Sequence, residues 1–128
     1  MKEIYDMDVY RLAEELSDMI WHDYGSWVAK VQRTIGFQVI TAVDSIAANL
    51  AEGFGRFHTG ERKTFYRYVR GSFEETKCWL RKLIRRNIIP AARVEQYKKV
   101  INELGPKLNA FIHATKSQGS SFKNQVSR

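Results

Sequence analysis

The sequence of 128 residues has little that would cross-link or interrupt a chain, with one cysteine and two prolines. The single cysteine, Cys78, excludes an internal disulfide and fits a reducing compartment. No run of about 18 uncharged apolar residues is present to span a membrane. The acidic first residues are unlike a signal peptide. These absences predict a soluble cytoplasmic protein with no membrane partner.

Apolar residues recur at intervals of three and four, which predicts helix almost throughout. Four long helices are predicted, at about residues 8–24, 31–52, 59–86 and from 91 onwards. Asp8 and Thr59 are the predicted N-caps of the first and third. Pro106 predicts a kink in the fourth helix and not a break, although it has no N–H to donate to the carbonyl of Asn102.

Four long helices with short connections and one apolar stripe each are typical of a bundle. The predicted fold is therefore all-α, an antiparallel up-down-up-down four-helix bundle over residues 1–116. Residues 117–128 contain too little apolar surface to pack and are predicted to form a flexible polar tail. One domain followed by a tail is expected.

The net charge of +7 is unevenly distributed along the chain. Residues 1–52 carry 4 Lys and Arg against 9 Asp and Glu, whereas residues 53–100 carry 13 against 4. On a helical wheel, most cations of the third helix fall on one face beside its apolar stripe. This basic stripe consists of Lys63, Arg67, Arg70, Lys77, Arg81 and Arg85. Arg56, in the preceding loop, is predicted to begin the same surface.

The basic stripe has two interpretations. Charged helix faces are commonly only solvated, or they pair with neighbouring acids, here Glu14, Glu15, Asp18 or Asp23 of the first helix. Regularly spaced cations also neutralise the phosphates of RNA or DNA without reading the base sequence. The second interpretation makes Arg56 and the basic stripe a nucleic-acid-binding surface.

Aromatic residues outside the core stripes form a second candidate site. Tyr10 and Trp21 lie on a flank of the first helix, and Tyr68 and Trp79 lie on a flank of the third. Surplus apolar surface of this kind is typical of an oligomer interface, although aromatic rings also stack on bases. These four residues are therefore expected at an oligomer interface.

Patterns typical of catalytic, metal or cofactor sites are absent from the sequence. The glycine-containing loop at residues 53–60 differs from phosphate-binding motifs and is predicted to end the second helix, with Gly53 and Gly55 as the stop. Glu52 is expected to accept a hydrogen bond from Arg56 or from backbone amides of the turn, and Asn49 to be an interhelical amide. The sequence predicts no catalytic residue, metal or cofactor, although interfaces between subunits can build sites from residues unrelated in one chain.

The run SIAANLAEGFGR, from Ser45 to Arg56, resembles the closing motif of the second helix in the bacterial ribosomal RNA intervening-sequence proteins, a family of four-helix bundles. Leu50 replaces the isoleucine usual in the family, and Ala47 stands where many relatives have proline. The opening residues YDMDVYRLAEELSDMI and the aromatic-rich third helix extend the resemblance to about residues 5–115. The pair Gly105–Pro106 is a departure from most relatives.

The resemblance implies a ring-shaped homopentamer with no known enzymatic activity. It extends distantly to accessory proteins of diversity-generating retroelements, which engage nucleic acid and a reverse transcriptase. Combined with the basic stripe, it predicts a non-enzymatic homopentamer that binds the RNA or DNA backbone without strong sequence specificity. The alternative is a scaffold or adaptor whose main partner is a protein such as a reverse transcriptase, for which Tyr68 and Trp79 matter more than the arginines.

Overall fold

The computed structural model describes the backbone of residues 3–126 and the side chains of residues 3–115. Within that part of the chain every regular element is helical and there is no strand. A short 3₁₀ turn at Ile4–Asp6 precedes the long helices α1 (Asp8–Tyr24), α2 (Ala29–Phe54), α3 (Thr59–Arg85) and α4 (Ala91–Val126). The predicted all-α fold with four long helices is confirmed.

The four helices enclose one apolar core. Helix α1 packs against α2 and α4, and α3 packs against the same two helices. Side chains with no exposed surface include Leu16, Ile20, Val39, Val43, Ile46, Leu50, Val69, Leu83 and Leu104. Burial of each such side chain is worth roughly 1.5–3 kcal/mol. The apolar stripes of all four helices therefore meet in a single core.

Helix α2 starts two residues before its predicted first residue and contains a π-helical segment, Gln32–Gly36. At Gly36 a Cβ would lie 2.8 Å from the carbonyl oxygen of Val31 and 3.1 Å from the ring of Tyr24. A single widened turn leaves the helical periodicity on either side intact, which is why the apolar pattern did not indicate it.

By length and composition, α2 is the one described helix that would be able to cross a membrane, with a mean hydropathy of 1.3 over 18 residues. Core helices of bundles share this composition. Val39 and Ile46 of α2 are fully buried between the other helices. Burial in the core therefore accounts for part of the apolar character of α2, since 44% of this window is buried.

Both predicted N-caps are wrong by one residue. Asp8 and Thr59 are the first helical residues, and Met7 and His58 take the N-cap positions without a side-chain hydrogen bond. Packing of the apolar faces, rather than a capping side chain, therefore sets where these two helices begin.

Two residues after the end of α3, Asn87 adopts the left-handed conformation, with φ of 58°. The N–H of Ile88 donates to the carbonyl oxygen of Leu83 at 2.9 Å, which closes the last turn. Asparagine is one of the few non-glycine residues that adopt this conformation readily. The turn predicted from Asn87 to Pro90 is confirmed.

Gly53 allows the end of α2 to approach α3 closely. A Cβ at Gly53 would lie 2.7 Å from Cε1 of Tyr66 and 3.0 Å from Cβ of Phe65. The helix continues past Gly53 to Phe54, and no described glycine has a positive φ. The predicted stop is confirmed at Gly55, which is the C-cap of the helix, whereas Gly53 lies within the last turn and leaves room for Tyr66.

Helix α4 passes through Pro106 without dividing, as predicted, and its backbone continues to Val126. The side chains of residues 116–128 and the placement of residues 127–128 lie outside the described residues. The boundary at residue 116 and the flexible tail stay predictions, because a helical backbone does not measure mobility.

Replacing Gly53 by alanine is expected to lower the free energy of unfolding by about 1–3 kcal/mol, since the added Cβ collides with Tyr66. Gly71→Ala is the matched control, because a Cβ at this exposed position of α3 meets nothing within 4 Å. The control should raise the free energy of unfolding by up to about 1 kcal/mol, as alanine is the better helix former. Urea unfolding measures both, and a Gly53→Ala protein as stable as the parent would contradict the packing role.

Candidate nucleic-acid interface

The basic stripe lies on the side of α3 that faces α4. Arg67, Arg70, Arg81 and Arg85 are exposed, whereas Lys63 and Lys77 are half-buried. From its first to its last cation the stripe extends about 33 Å, at 1.5 Å per residue. The core residues of the same helix hold this row of charges along one side of the bundle.

Little of the positive charge on the stripe is neutralised within the described residues. Its one ion pair joins Nζ of Lys77 to Oε1 of Glu74 at 2.9 Å, on the same helix. Nζ of Lys77 also lies 4.8 Å from the ring centroid of Phe73. Arg67 donates a hydrogen bond to the hydroxyl of Thr64 at 3.3 Å. The other cations of the stripe remain available to a ligand.

The acidic residues of α1 are directed elsewhere. Asp23 pairs with Nε of Arg93 on α4 at 3.0 Å. Glu14 lies beside Asp18 and Asp44, and burial together with these two carboxylates raises the pKa of Glu14. Among the described residues no ion pair joins α1 to the basic stripe. The interpretation that the stripe pairs with α1 is therefore wrong within one subunit.

Arg56 lies apart from the basic stripe. Its Nη2 is 3.0 Å from Oε1 of Glu52, so Arg56 is the one of the two predicted partners that Glu52 contacts. The guanidinium of Arg56 also lies 4.9 Å from the ring centroid of Phe65. Phe65 and Lys63 are about 160° apart around α3, at 100° per residue. Arg56 is thus placed on the flank of α3 opposite to the stripe that it was expected to begin.

A groove between α3 and α4 runs beside the stripe and consists of two adjoining cavities, of about 140 and 300 Å³. The smaller cavity is lined by Lys63, Tyr66, Arg67, Arg70 and Ile112. The larger is lined by Arg70, Phe73, Glu74, Lys77, Ile101, Asn102, Gly105, Pro106, Leu108, Asn109 and Ile112. Because Arg70 and Ile112 line both, the two cavities form one α3–α4 groove. Four of the six cations of the stripe border it.

The four aromatic residues predicted at an interface lie on flanks beside α2. Trp21 is 64% and Tyr68 54% exposed, whereas Tyr10 and Trp79 are half-buried. Tyr10 and Trp21 border a surface depression that also contains Ala47 of α2. Tyr68 and Trp79 lie on the flank of α3 away from α4. Within one subunit the two pairs therefore stand on either side of α2.

The sequence did not reveal a polar cluster that joins α1 to α4. Oδ2 of Asp23 accepts hydrogen bonds from Nε of Arg93 at 3.0 Å and from the hydroxyl of Tyr97 at 2.5 Å. Burial and the hydrogen bond to Asp23 raise the pKa of Tyr97 far above its usual range. Tyr97 is buried, and helical spacing carries no information about a partner 74 residues away.

No group of three or more His, Cys, Asp and Glu side chains within the described part of the chain is arranged to hold a metal ion. The single cysteine, Cys78, is exposed on α3. The arrangement places a row of cations beside a groove with an apolar floor.

Four long helices around one core, with a basic face on the third, define a small all-helical bundle protein. The family model described as 23S rRNA-intervening sequence protein matches residues 5–110, and the chain belongs to this family. The match covers the whole basic stripe, and it confirms the family resemblance inferred from residues 45–56. Among curated proteins, no sequence matches the chain.

Loss of the Tyr97 hydroxyl is expected to change stability in a pH-dependent way. The pKa of Tyr97 is higher in the folded than in the unfolded state, so its protonated hydroxyl contributes its full stabilisation of the fold below pH about 10, the usual tyrosine value. This contribution is lost as the pH rises above that value, because the unfolded state then loses the proton first. Tyr97→Phe should therefore lower the free energy of unfolding by about 1 kcal/mol near neutral pH and flatten its fall above pH about 10. Urea unfolding across this pH range measures both effects.

Tyr5→Phe, at an exposed position, is the control for this experiment and should leave the free energy of unfolding near neutral pH unchanged. An equally steep alkaline fall in the Tyr97→Phe protein would show that the phenol of Tyr97 is not responsible.

Proposed function

We propose that this protein is a non-enzymatic, homo-oligomeric bundle that binds nucleic acid through the basic stripe of α3, without strong sequence specificity. The observation that carries the proposal is the row of cations along one helix, in which only Lys77 forms an ion pair among the described residues. The chain belongs to a family whose description names 23S rRNA, which supports RNA as the partner. We further propose that the protein acts in the cytoplasm.

The stripe suits contacts to phosphates. Arg67, Arg70 and Arg81 each present a planar guanidinium that pairs with two oxygens of a phosphate. Every phosphate neutralised in this way releases counterions, so that binding weakens steeply with salt. Because phosphates are the same at every position, such contacts orient a helix on the nucleic acid without selecting its sequence.

The proposal includes an antiparallel up-down-up-down order of the helices. Asp8, at the start of α1, contacts Lys107 in α4 at 3.5 Å, whereas Asp23, at the end of α1, contacts Arg93 near the start of α4. These two pairs support opposite directions for α1 and α4. Only residues 55–58 separate α2 from α3, which supports a reversal there as well.

We further propose that the bundle forms a ring-shaped homopentamer through the outward face of α2. Phe37 of α2 is 62% exposed, and Trp21 of α1 and Tyr68 of α3 are 64% and 54% exposed. Exposed aromatic residues of this kind are enriched at interfaces between subunits. Repetition of the basic stripe around a ring would then strengthen a weak contact through effective concentration.

A second candidate is an adaptor whose main partner is a protein, such as the reverse transcriptase of a diversity-generating retroelement. The observation that favours it is the exposed aromatic flank of α3, with Tyr68 at its centre. An adaptor would depend on Tyr68 and Trp79 and would keep its partner when the stripe is reversed in charge, which separates the two candidates.

Reversing three charges of the stripe tests nucleic-acid binding. The variant Arg67→Glu, Arg70→Glu, Arg81→Glu should lose retention on immobilised RNA at about 0.15 M salt while its helical circular dichroism is unchanged. At lower salt, the slope of log affinity against log salt should fall by about 2–3, since each lost phosphate contact removes about 0.9.

The matched control places the same charge change elsewhere. Arg11→Glu, Lys99→Glu, Lys107→Glu alters three exposed cations of α1 and α4. This control should keep most of its retention and its salt slope. Retention of the stripe variant, or equal loss by both variants, would contradict the proposed site.

The oligomer is tested by molar mass. Light scattering on the eluting protein should give five times the chain mass of 14.9 kDa. Phe37→Ser should shift the mass towards the monomer because it removes apolar area from the interface. Phe57→Ser, at an equally aromatic exposed position in the loop before α3, should not shift it. A monomeric parent protein would refute the ring.

A further inference from the structure

The α3–α4 groove has features that a surface for phosphates alone does not need. Gly105 leaves the groove open above Phe73, since a Cβ there would lie 3.5 Å from the edge of that ring. Pro106 follows it, and its missing N–H leaves the carbonyl of Asn102 without the usual helical donor. A long side chain at residue 105 would extend into the groove above Phe73, and a residue other than proline at position 106 would supply the N–H that this carbonyl lacks.

The larger cavity of the groove combines an apolar floor with a polar rim. Phe73 and Ile101 contribute to the floor, and the amides of Asn102 and Asn109 stand on the α4 side. An amide side chain offers both donors and an acceptor, which is what the edge of a nucleobase requires. At about 300 Å³ the cavity is at the lower end of small-molecule sites.

The charge around the groove is suited to an anion next to this cavity. Lys63, Arg67 and Arg70 surround the smaller cavity. Glu74, the one carboxylate among the described residues that line the groove, is already paired with Lys77 at 2.9 Å. A matching ligand would place a planar ring with hydrogen-bonding groups at its edge in the larger cavity and a negative charge in the smaller one.

We infer that the α3–α4 groove receives one unpaired nucleotide of the bound nucleic acid, its base in the larger cavity and its phosphate among the cations of the smaller one. This assignment rests on the proposed function of the basic stripe. The nucleotide must be unpaired because a base within a duplex has its faces stacked and its edge occupied, so that it reaches a pocket only outside the stack. The groove therefore directs the stripe to bulges, loops or single-stranded junctions.

The test compares two RNA duplexes that differ by one unpaired adenosine in the centre of one strand. The parent protein should bind the bulged duplex about tenfold more tightly than the fully paired one, since contacts to one accommodated base carry an effect of this size. DNA duplexes with and without the same bulge form a second arm. If the protein prefers the bulged DNA duplex as strongly as the bulged RNA duplex, base and phosphate account for the recognition. If the preference is absent in DNA, the 2′-hydroxyl of RNA contributes to it.

Gly105→Leu places a large side chain in the larger cavity. The helix should tolerate the change, because leucine is a better helix former than glycine. It should bind both RNAs with the affinity that the parent shows for the paired duplex. Gly71→Leu adds the same side chain at a position on α3 with nothing within 4 Å of its Cβ and should keep the parent's preference. Asn109→Ala adds no volume and should reduce the preference by removing an amide from the rim, which tests the groove independently of any change caused by leucine.

The outcomes separate this inference from the proposed function. Equal affinity of the parent for both RNAs, or an undiminished preference in both Gly105→Leu and Asn109→Ala, would overturn the groove assignment and leave stripe binding intact. Failure of the parent to bind either duplex would overturn the proposed function and this inference together. A preference that only the two groove variants lose would support the assignment.

Discussion

The contact between Gly53 and Tyr66 is the constraint on which the position of the basic stripe depends. Tyr66 is almost fully buried, its ring fills the space that a side chain at residue 53 would take, and its other side meets Phe111 of α4 with ring centroids 5.0 Å apart. A bulky ring held between α2 and α4 fixes the rotation of α3 about its own axis. That rotation turns the cations of α3 towards α4 and its aromatic flank towards α2.

A single helix thereby serves three surfaces without conflict. Its core residues, such as Val69 and Leu83, stabilise the bundle, while the basic stripe and the aromatic flank stand on opposite sides of this core seam. Nucleic acid on one side and a neighbouring subunit on the other would not compete for the same residues. The α3–α4 groove adds a shape requirement to the stripe, because it combines charge with a bounded cavity.

Much of the fold was predictable from periodicity. Apolar spacing located four helices, and the start of α4 at Ala91 and the passage of α4 through Pro106 agree with the prediction. The errors fall where local pattern and packing differ. Asn49 donates to the carbonyl of Ser45 on its own helix at 2.7 Å and not to a neighbouring helix, and Gly53 packs instead of terminating. In both cases the position on the helix was read correctly, but spacing alone did not show whether the residue bonds within its own helix or packs against a neighbouring one.

The sequence by itself determined that α3 is long, amphipathic and basic on one side, because these properties depend only on the order of residues along one helix. Only the tertiary structure decided that the stripe borders a groove with α4, that Arg56 lies on the opposite flank beside Phe65, and that Asp23 pairs with Arg93 instead of with α3. These relations join residues far apart in the chain. They follow from how side chains such as Tyr66 fill the space between helices, and no spacing within one helix encodes that.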